Sequence, residues 1–185
     1  MRTMFRLVVI AMMITLFTAT FFTQPAMAVD TSKLDRAVDK ALKKLYANSP
    51  AAVKLSKEAK GIMVFPSITK VGFLVGGQFG EGALLVGGKT VGYYNTVAGS
   101  YGLQAGAQKF GYVLFLMDTS SLEYLNKSDG WEIGVGPSVV FVDEGMAKTI
   151  TTTTTREGIY AFIFNQQGLM AGIGLQGSKI SRINP

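Results

Sequence analysis

Cysteine and histidine are both absent from this chain of 185 residues. Without cysteine no disulfide can form, so a hydrophobic core alone must hold the folded state together. For the same reason the chain cannot carry a lipid-modified N-terminal cysteine. The absence of histidine removes the commonest general base and the commonest metal ligand. We therefore expect a protein that is not an enzyme and that holds no metal and no cofactor.

The other candidate catalytic motifs have simpler explanations. The acidic residues of Asp129–Glu132 and Asp143–Glu144 are typical of turns. Ser178 and Lys179 would point to opposite sides of a strand, which argues against a hydrolase with a serine–lysine pair. Ala83–Thr90 resembles a phosphate-binding loop in its letters. A strand and not a helix is expected after it, so the segment is interpreted as a hairpin turn.

The first 28 residues have the pattern of a secretory signal peptide. Arg2 and Arg6 precede a mostly apolar run, Leu7–Phe22, and small residues lead to Ala28. The run is interrupted by threonines and falls short of the ~20 apolar residues that a membrane span needs. We predict cleavage after Ala28, export to the periplasm, and one domain over residues 29–185.

The remaining charge favours anionic partners only mildly. Loss of Arg2 and Arg6 lowers the net charge from +6 to +4. This density of positive charge is too low for a nucleic-acid-binding protein, so nucleic acid is not expected as a partner.

Thr31–Ala47 has the pattern of an amphipathic helix. Ser32 is the predicted N-cap, and an apolar stripe recurs at helical spacing at Leu34, Val38, Ala41, Leu42 and Leu45. Placed at ~100° per residue, five basic residues form one continuous arc beside this stripe. They are the candidate lipid-binding residues: Lys33, Arg36, Lys40, Lys43 and Lys44.

Two further helices are predicted. Ser49 and Pro50 are suited to start a short second helix that ends before Gly61. Thr119–Lys127 is expected to form a third, with a capping box between Ser120 and Glu123.

Most of the rest alternates with the period of two that indicates β-strands. In the stretch from 60 to 82, large apolar residues point one way while Gly72, Gly76 and Gly80 point the other, which implies an element packed closely on the glycine face. The predicted fold is α+β, with a strongly bent antiparallel sheet or partly closed β-barrel, two N-terminal helices and one short internal helix. The predicted core includes Phe65, Phe73, Val75, Leu103, Trp131, Ile133 and Leu175.

The same glycine-rich alternation returns at Tyr101–Gln108, Trp131–Gly136 and Leu169–Gln176, accompanied by Ser128–Trp131 and Gly168–Gly172. In this order the segments resemble the SYLF domain, a lipid-binding family with a eukaryotic branch of actin-associated proteins. The resemblance extends from about Asp35 to Ile183. It implies phospholipid binding, which the eukaryotic branch carries out on phosphoinositides with an N-terminal amphipathic helix.

The expectation is therefore a secreted phospholipid-binding protein, peripheral on a membrane, whose basic helix contacts anionic lipid. Actin is not expected as a partner of a secreted bacterial-type protein. An integral outer-membrane β-barrel is the alternative, since a signal peptide and alternating strands suit it. The predicted helices are out of place in such a barrel, and urea extraction of membranes would separate the two.

Overall fold

The computed structural model describes residues 30–127, 131–133, 137–142, 158–168 and 177–184. The elements within these residues are α1 (Thr31–Asn48), α2 (Pro50–Glu58), β1 (Gly61–Val86), β2 (Lys89–Leu116), α3 (Thr119–Lys127), β3 (Trp131–Glu132), β4 (Val139–Phe141), β5 (Ile159–Gly168) and β6 (Lys179–Ile183). The predicted signal peptide and the segment Leu169–Gln176 lie outside the described residues.

The strands form one sheet centred on β2. β1 pairs with β2 along one edge, while β5 and β6 share the other edge. β3 extends the sheet beyond β6, and β4 extends it beyond β5. The sheet curls into a half-barrel, which confirms the predicted α+β fold with its bent sheet. The β4–β5 pair is parallel, so the sheet is mixed and not wholly antiparallel.

The β1–β2 pair is a long hairpin ribbon. Its turn lies at Gly87 and Gly88, whose φ angles of 58° and 78° require glycine-like freedom at both positions. The segment that resembles a phosphate-binding loop is therefore a hairpin turn, as predicted. Register shifts interrupt the ladder between Phe65 and Ile68 and again between Phe73 and Val75. Such irregularities let a strand bend sharply.

β1 bends so far that its two ends meet. A Cβ added at Gly82 would lie 2.6 Å from a ring carbon of Phe65, and one at Gly80 would lie 2.8 Å from the carbonyl oxygen of Ser67. We call the side on which these ends meet the inner face of the sheet, and the opposite side the outer face. Close packing on the glycine side was predicted, and these contacts confirm it.

Each face carries its own core. On the inner face the buried cluster contains Met63, Phe65, Ile68, Leu84, Tyr94, Phe110, Tyr112, Leu114, Trp131 and Ile180. On the outer face, α1 and α2 cover a cluster contributed by the sheet at Val64, Ala83, Leu85, Val113, Phe115, Tyr160 and Phe162.

The predicted core is correct in part. Phe65, Trp131 and Ile133 are buried on the inner side. Phe73 and Val75 were placed wrongly, because they are 75% and 64% exposed. At the bend the inner side of β1 is crowded, since a Cβ added at Gly72 would lie 2.7 Å from Gly76 and one added at Gly80 would lie 2.8 Å from the Ser67 carbonyl oxygen. Glycine therefore suits that side there, and the large residues turn outward. The side chain of Leu103 and all of Leu175 lie outside the described part.

The helices begin and end with side-chain caps. Asp30 caps α1, where the sequence favoured Ser32, and its carboxylate accepts a 3.1 Å hydrogen bond from the Lys33 amide. Ser49 caps α2 as predicted, accepting from the Ala52 amide at 3.2 Å.

Asp118 caps α3 in place of the predicted capping box. Its carboxylate accepts bonds from the Ser121 amide at 2.6 Å, from the Ser120 hydroxyl at 2.6 Å and from the Gly158 amide at 2.8 Å. Partial burial raises the pKa of Asp118, but these hydrogen bonds outweigh it and lower the pKa to about 2. Asp118 therefore joins the start of α3 to the start of β5.

Candidate functional site

α1 lies along the outer face of the sheet with its apolar stripe turned inward. Leu34, Val38, Ala41, Leu42 and Leu45 are all buried, as their helical spacing predicts. They pack in the same cluster as Val64 and Phe115 of the sheet. The stripe is therefore fully used in holding the helix to the fold, and in the folded protein it cannot lie in a membrane.

A hydrogen-bonded carboxylate fixes the position of α1 on the hairpin. Asp35 accepts bonds from the Thr90 hydroxyl at 3.1 Å and from the Tyr93 hydroxyl at 3.0 Å. Burial raises the pKa of the Tyr93 phenol, and the neighbouring Asp35 carboxylate adds to the rise. The negative charge of Asp35 is thus directed towards the sheet and away from the basic arc.

The structure brings all five predicted basic residues together on the solvent side of α1. Lys33, Arg36, Lys40, Lys43 and Lys44 are exposed, and none forms an ion pair with another described residue. Arg36 donates a long, 3.5 Å bond to the Ser32 hydroxyl one turn earlier. We call these five residues the basic arc. Their arrangement offers a positively charged strip that remains open to an anionic surface.

A second surface was not foreseen from the sequence. On the outer face, beyond the helices, large apolar side chains are exposed at the bend of the β1–β2 ribbon: Val71, Phe73, Val75, Phe79 and Val97. We call them the apolar row. The first four occupy alternate positions of β1 except for Gly77, which lies between Val75 and Phe79, and Phe79 is the cross-strand partner of Val97. Scattered apolar residues are normal on a surface, whereas a continuous group such as this one is typical of interaction sites.

The sequence did contain a signal for the apolar row. The alternation correctly placed Val71, Phe73, Val75 and Phe79 on one side and glycines on the other. The error was to assume that the large residues face the core. Glycine-rich alternation over a long, bending strand indicates that the glycine side is the concave one.

A shallow pocket lies at one end of the apolar row. Its volume is about 230 Å³, and it is lined by Thr69, Ala107, Gln108, Lys109, Gln167 and Gly168. Ala107 is the cross-strand partner of Val71, so the pocket and the row are direct neighbours. Lys109 is exposed, whereas Gln108 is only 6% exposed. The Oε1 atom of Gln108 has no hydrogen-bond partner among the described residues.

Under the bend, the inner face is polar. Gln78 donates a 2.8 Å bond to the hydroxyl of Ser178, and both side chains are buried. Burial also raises the pKa of the Tyr112 phenol. Ser178 is buried while Lys179 is exposed, so the two point to opposite sides as the sequence predicted.

The described residues offer no group of three or more metal-ligating side chains. Among the helices of the same residues, none has the length and apolar character that crossing a membrane requires.

Comparison with known proteins links the chain to one family. The family described as Ysc84, Las17-binding protein actin regulator, matches residues 97–184. The matched stretch begins within β2 and extends through β6, so α1 with the basic arc precedes it. A search of curated proteins found no match.

Proposed function

Because the chain belongs to the SYLF domain family through residues 97–184, we propose that it is an exported protein that binds anionic phospholipid at a membrane surface. Export rests on the signal-peptide pattern of residues 1–28. Sequencing of the mature protein should find Val29 at its N-terminus, and recovery of Leu7–Phe22 in that product would contradict export.

The observation that carries lipid binding is the exposure of the whole basic arc on one side of one helix. A basic residue close to an anionic membrane contributes ~1 kcal/mol, so five acting together give attachment that is useful and sensitive to salt. Asp35 is hydrogen-bonded to Thr90 and Tyr93 and so does not oppose this contact, whereas Asp39 is exposed on the same helix and offsets one of the five positive charges.

The buried stripe changes how the helix must act. An interfacial helix normally places its apolar face among the acyl chains. In this fold that face is packed on the sheet. The basic arc therefore binds lipid head groups by charge while α1 stays docked, and any contact with acyl chains must come from another surface.

Charge reversal within the basic arc tests the proposal. We expect wild-type protein to float with vesicles of phosphatidylglycerol and phosphatidylcholine, and to float less as salt is raised. The triple variant Lys40→Glu, Lys43→Glu, Lys44→Glu should lose this binding with an unchanged circular dichroism spectrum, because all three side chains are exposed.

The matched control is Lys54→Glu, Lys60→Glu, Lys89→Glu, at lysines without an ion-pair partner among the described residues. It makes the same change in net charge at three exposed lysines outside α1. The control should retain most of the binding. Equal losses in both triple variants would show that only net charge matters, and full binding by the first variant would show that the basic arc is merely solvated.

A further inference from the structure

We propose that the bend of the β1–β2 ribbon is a second lipid contact, in which the apolar row enters the acyl region of a bilayer while the pocket beside Lys109 holds a lipid phosphate. This inference rests on the proposed function. It supplies the acyl-chain contact that α1 cannot make, since the apolar stripe of that helix is buried.

The apolar half of the site is the row itself. Val71, Phe73 and Val75 are exposed along β1, with the register shift of the ribbon lying between Phe73 and Val75. Phe73 is 75% exposed and Val75 64% exposed, the two highest values among the large apolar side chains of the described residues. These residues belong to neither buried cluster, so their large side chains do not pack in the core.

The polar half lies at the Val71 end of the row. Lys109 provides a cation, and Thr69, its cross-strand partner, provides a hydroxyl. Both groups can donate hydrogen bonds to phosphate oxygens. Gln108 is buried opposite the buried Lys70 and, as the strand neighbour of Lys109, points to the inner face, so its side chain takes no part in this contact. Lys109 has no ion-pair partner among the described residues.

The opposite end of the row is less suited to a phosphate. There Val97 has Lys179 as its cross-strand partner, but Lys179 itself stands opposite the exposed Glu132. The cation at this end therefore faces a carboxylate from the neighbouring strand. An apolar row with an available cation and donors at one end has the polarity of a phospholipid, which favours lipid over an uncharged apolar partner.

The convex shape of the bend agrees with this occupant. The ribbon curls towards its inner face, where Gly80 and Gly82 contact the opposite end of β1. The apolar row consequently lies on the convex side of the bend. A convex surface can enter a fluid bilayer, because a bilayer needs no preformed groove to receive it.

Two aspartates in the row test the insertion. Phe73→Asp, Val75→Asp should lower partitioning into phosphatidylglycerol–phosphatidylcholine vesicles by roughly tenfold or more, because two exposed apolar side chains are replaced by charges. The matched control is Val91→Asp, Tyr124→Asp, which adds the same charge at exposed apolar residues away from the bend. The control should bind within about twofold of wild type, since it touches neither the row nor the basic arc.

A fluorescent probe reads out depth directly. Phe73→Trp should be quenched by vesicles whose acyl chains carry bromine, whereas wild-type protein should not, because its single tryptophan, Trp131, is 1% exposed. Lys109→Glu should weaken vesicle binding, whereas Lys109→Arg, which keeps the positive charge, should bind like wild type. Inorganic phosphate at the concentration of the lipid phosphate should not compete, because it has no acyl chains.

The outcomes separate this inference from the proposed function. If wild type floats and the basic-arc variant does not, but the row variant floats normally and Phe73→Trp is unquenched, the apolar row is not a lipid contact while the proposed function stands. If wild type does not bind vesicles at all, both are overturned. If the row variant instead abolishes self-association in sedimentation, the row is an interface between copies, and the inference is again wrong.

Discussion

The outer face of the sheet has two halves with different surroundings. In one half, Val64, Ala83 and Phe115 lie beneath α1 and α2 and are buried. In the other, at the bend of the ribbon, Val71 and Phe73 continue the same side of the sheet with nothing covering them among the described residues. Large apolar side chains point outward in both halves, but only one half is covered by helices, and the inner side carries Phe65 in that half and Gly72 and Gly76 at the bend.

The difference separates stability from binding in one continuous sheet. Large side chains under the helices are removed from water and hold the fold together. Large side chains at the bend stay in water and lower the free energy of the protein only when another surface covers them. Large apolar side chains of the same strand therefore stabilise the fold in one half and are available for binding in the other, a few residues away.

Truncation of one side chain in each half is the most direct way to test the comparison. Leu42→Ala removes a buried side chain from the interface between α1 and the sheet and should lower the free energy of unfolding by about 2–5 kcal/mol. Phe73→Ala should change it by less than about 0.5 kcal/mol, because the ring is exposed. Urea denaturation of both variants measures the contrast. Similar losses would mean that the bend is part of the core.

A methyl group on the inner face tests whether the curl depends on glycine. In Gly82→Ala the new Cβ would overlap the carbonyl oxygen of Val64 and the ring of Phe65, so we expect a loss of about 1–3 kcal/mol. Gly99→Ala is the matched control, since nothing lies within 4 Å of its new Cβ. Thermal melts should separate the two variants, and equal melting temperatures would refute the close approach of the two ends of β1.

Away from both halves, acid should weaken the junction between α3 and β5 through Asp118. Its pKa is lowered from 3.8 to about 2, so the folded state gains stability from the ionised form above pH 4 and loses it as the pH falls towards 2. Because the group is partly exposed, we expect about 1 kcal/mol after allowing for screening. Hydrogen exchange should show α3 and the start of β5 opening first. Asp118→Asn should be less stable at pH 7 and lack this step, whereas an identical acid profile would exclude Asp118 as its cause.

Much of the local structure could be predicted because it depends on neighbouring residues alone. The spacing of Leu34, Val38 and Leu42 defines the buried side of α1 and leaves the basic arc outside. Gly87 and Gly88 indicate a tight hairpin, and Ser49 with Pro50 indicates a helix start. These signals require no knowledge of distant contacts.

The tertiary structure alone decided which side of each strand is covered. A period of two separates Phe73 from Gly72, but it is the same whichever side becomes concave. The contacts of Gly80 and Gly82 with the opposite end of β1 decide which side of the strand is concave. The docking of α1 decides which part of the outer face is buried. The exposure of the apolar row and its junction with the pocket at Lys109 follow from these long-range contacts, and for that reason the sequence pattern could not place them.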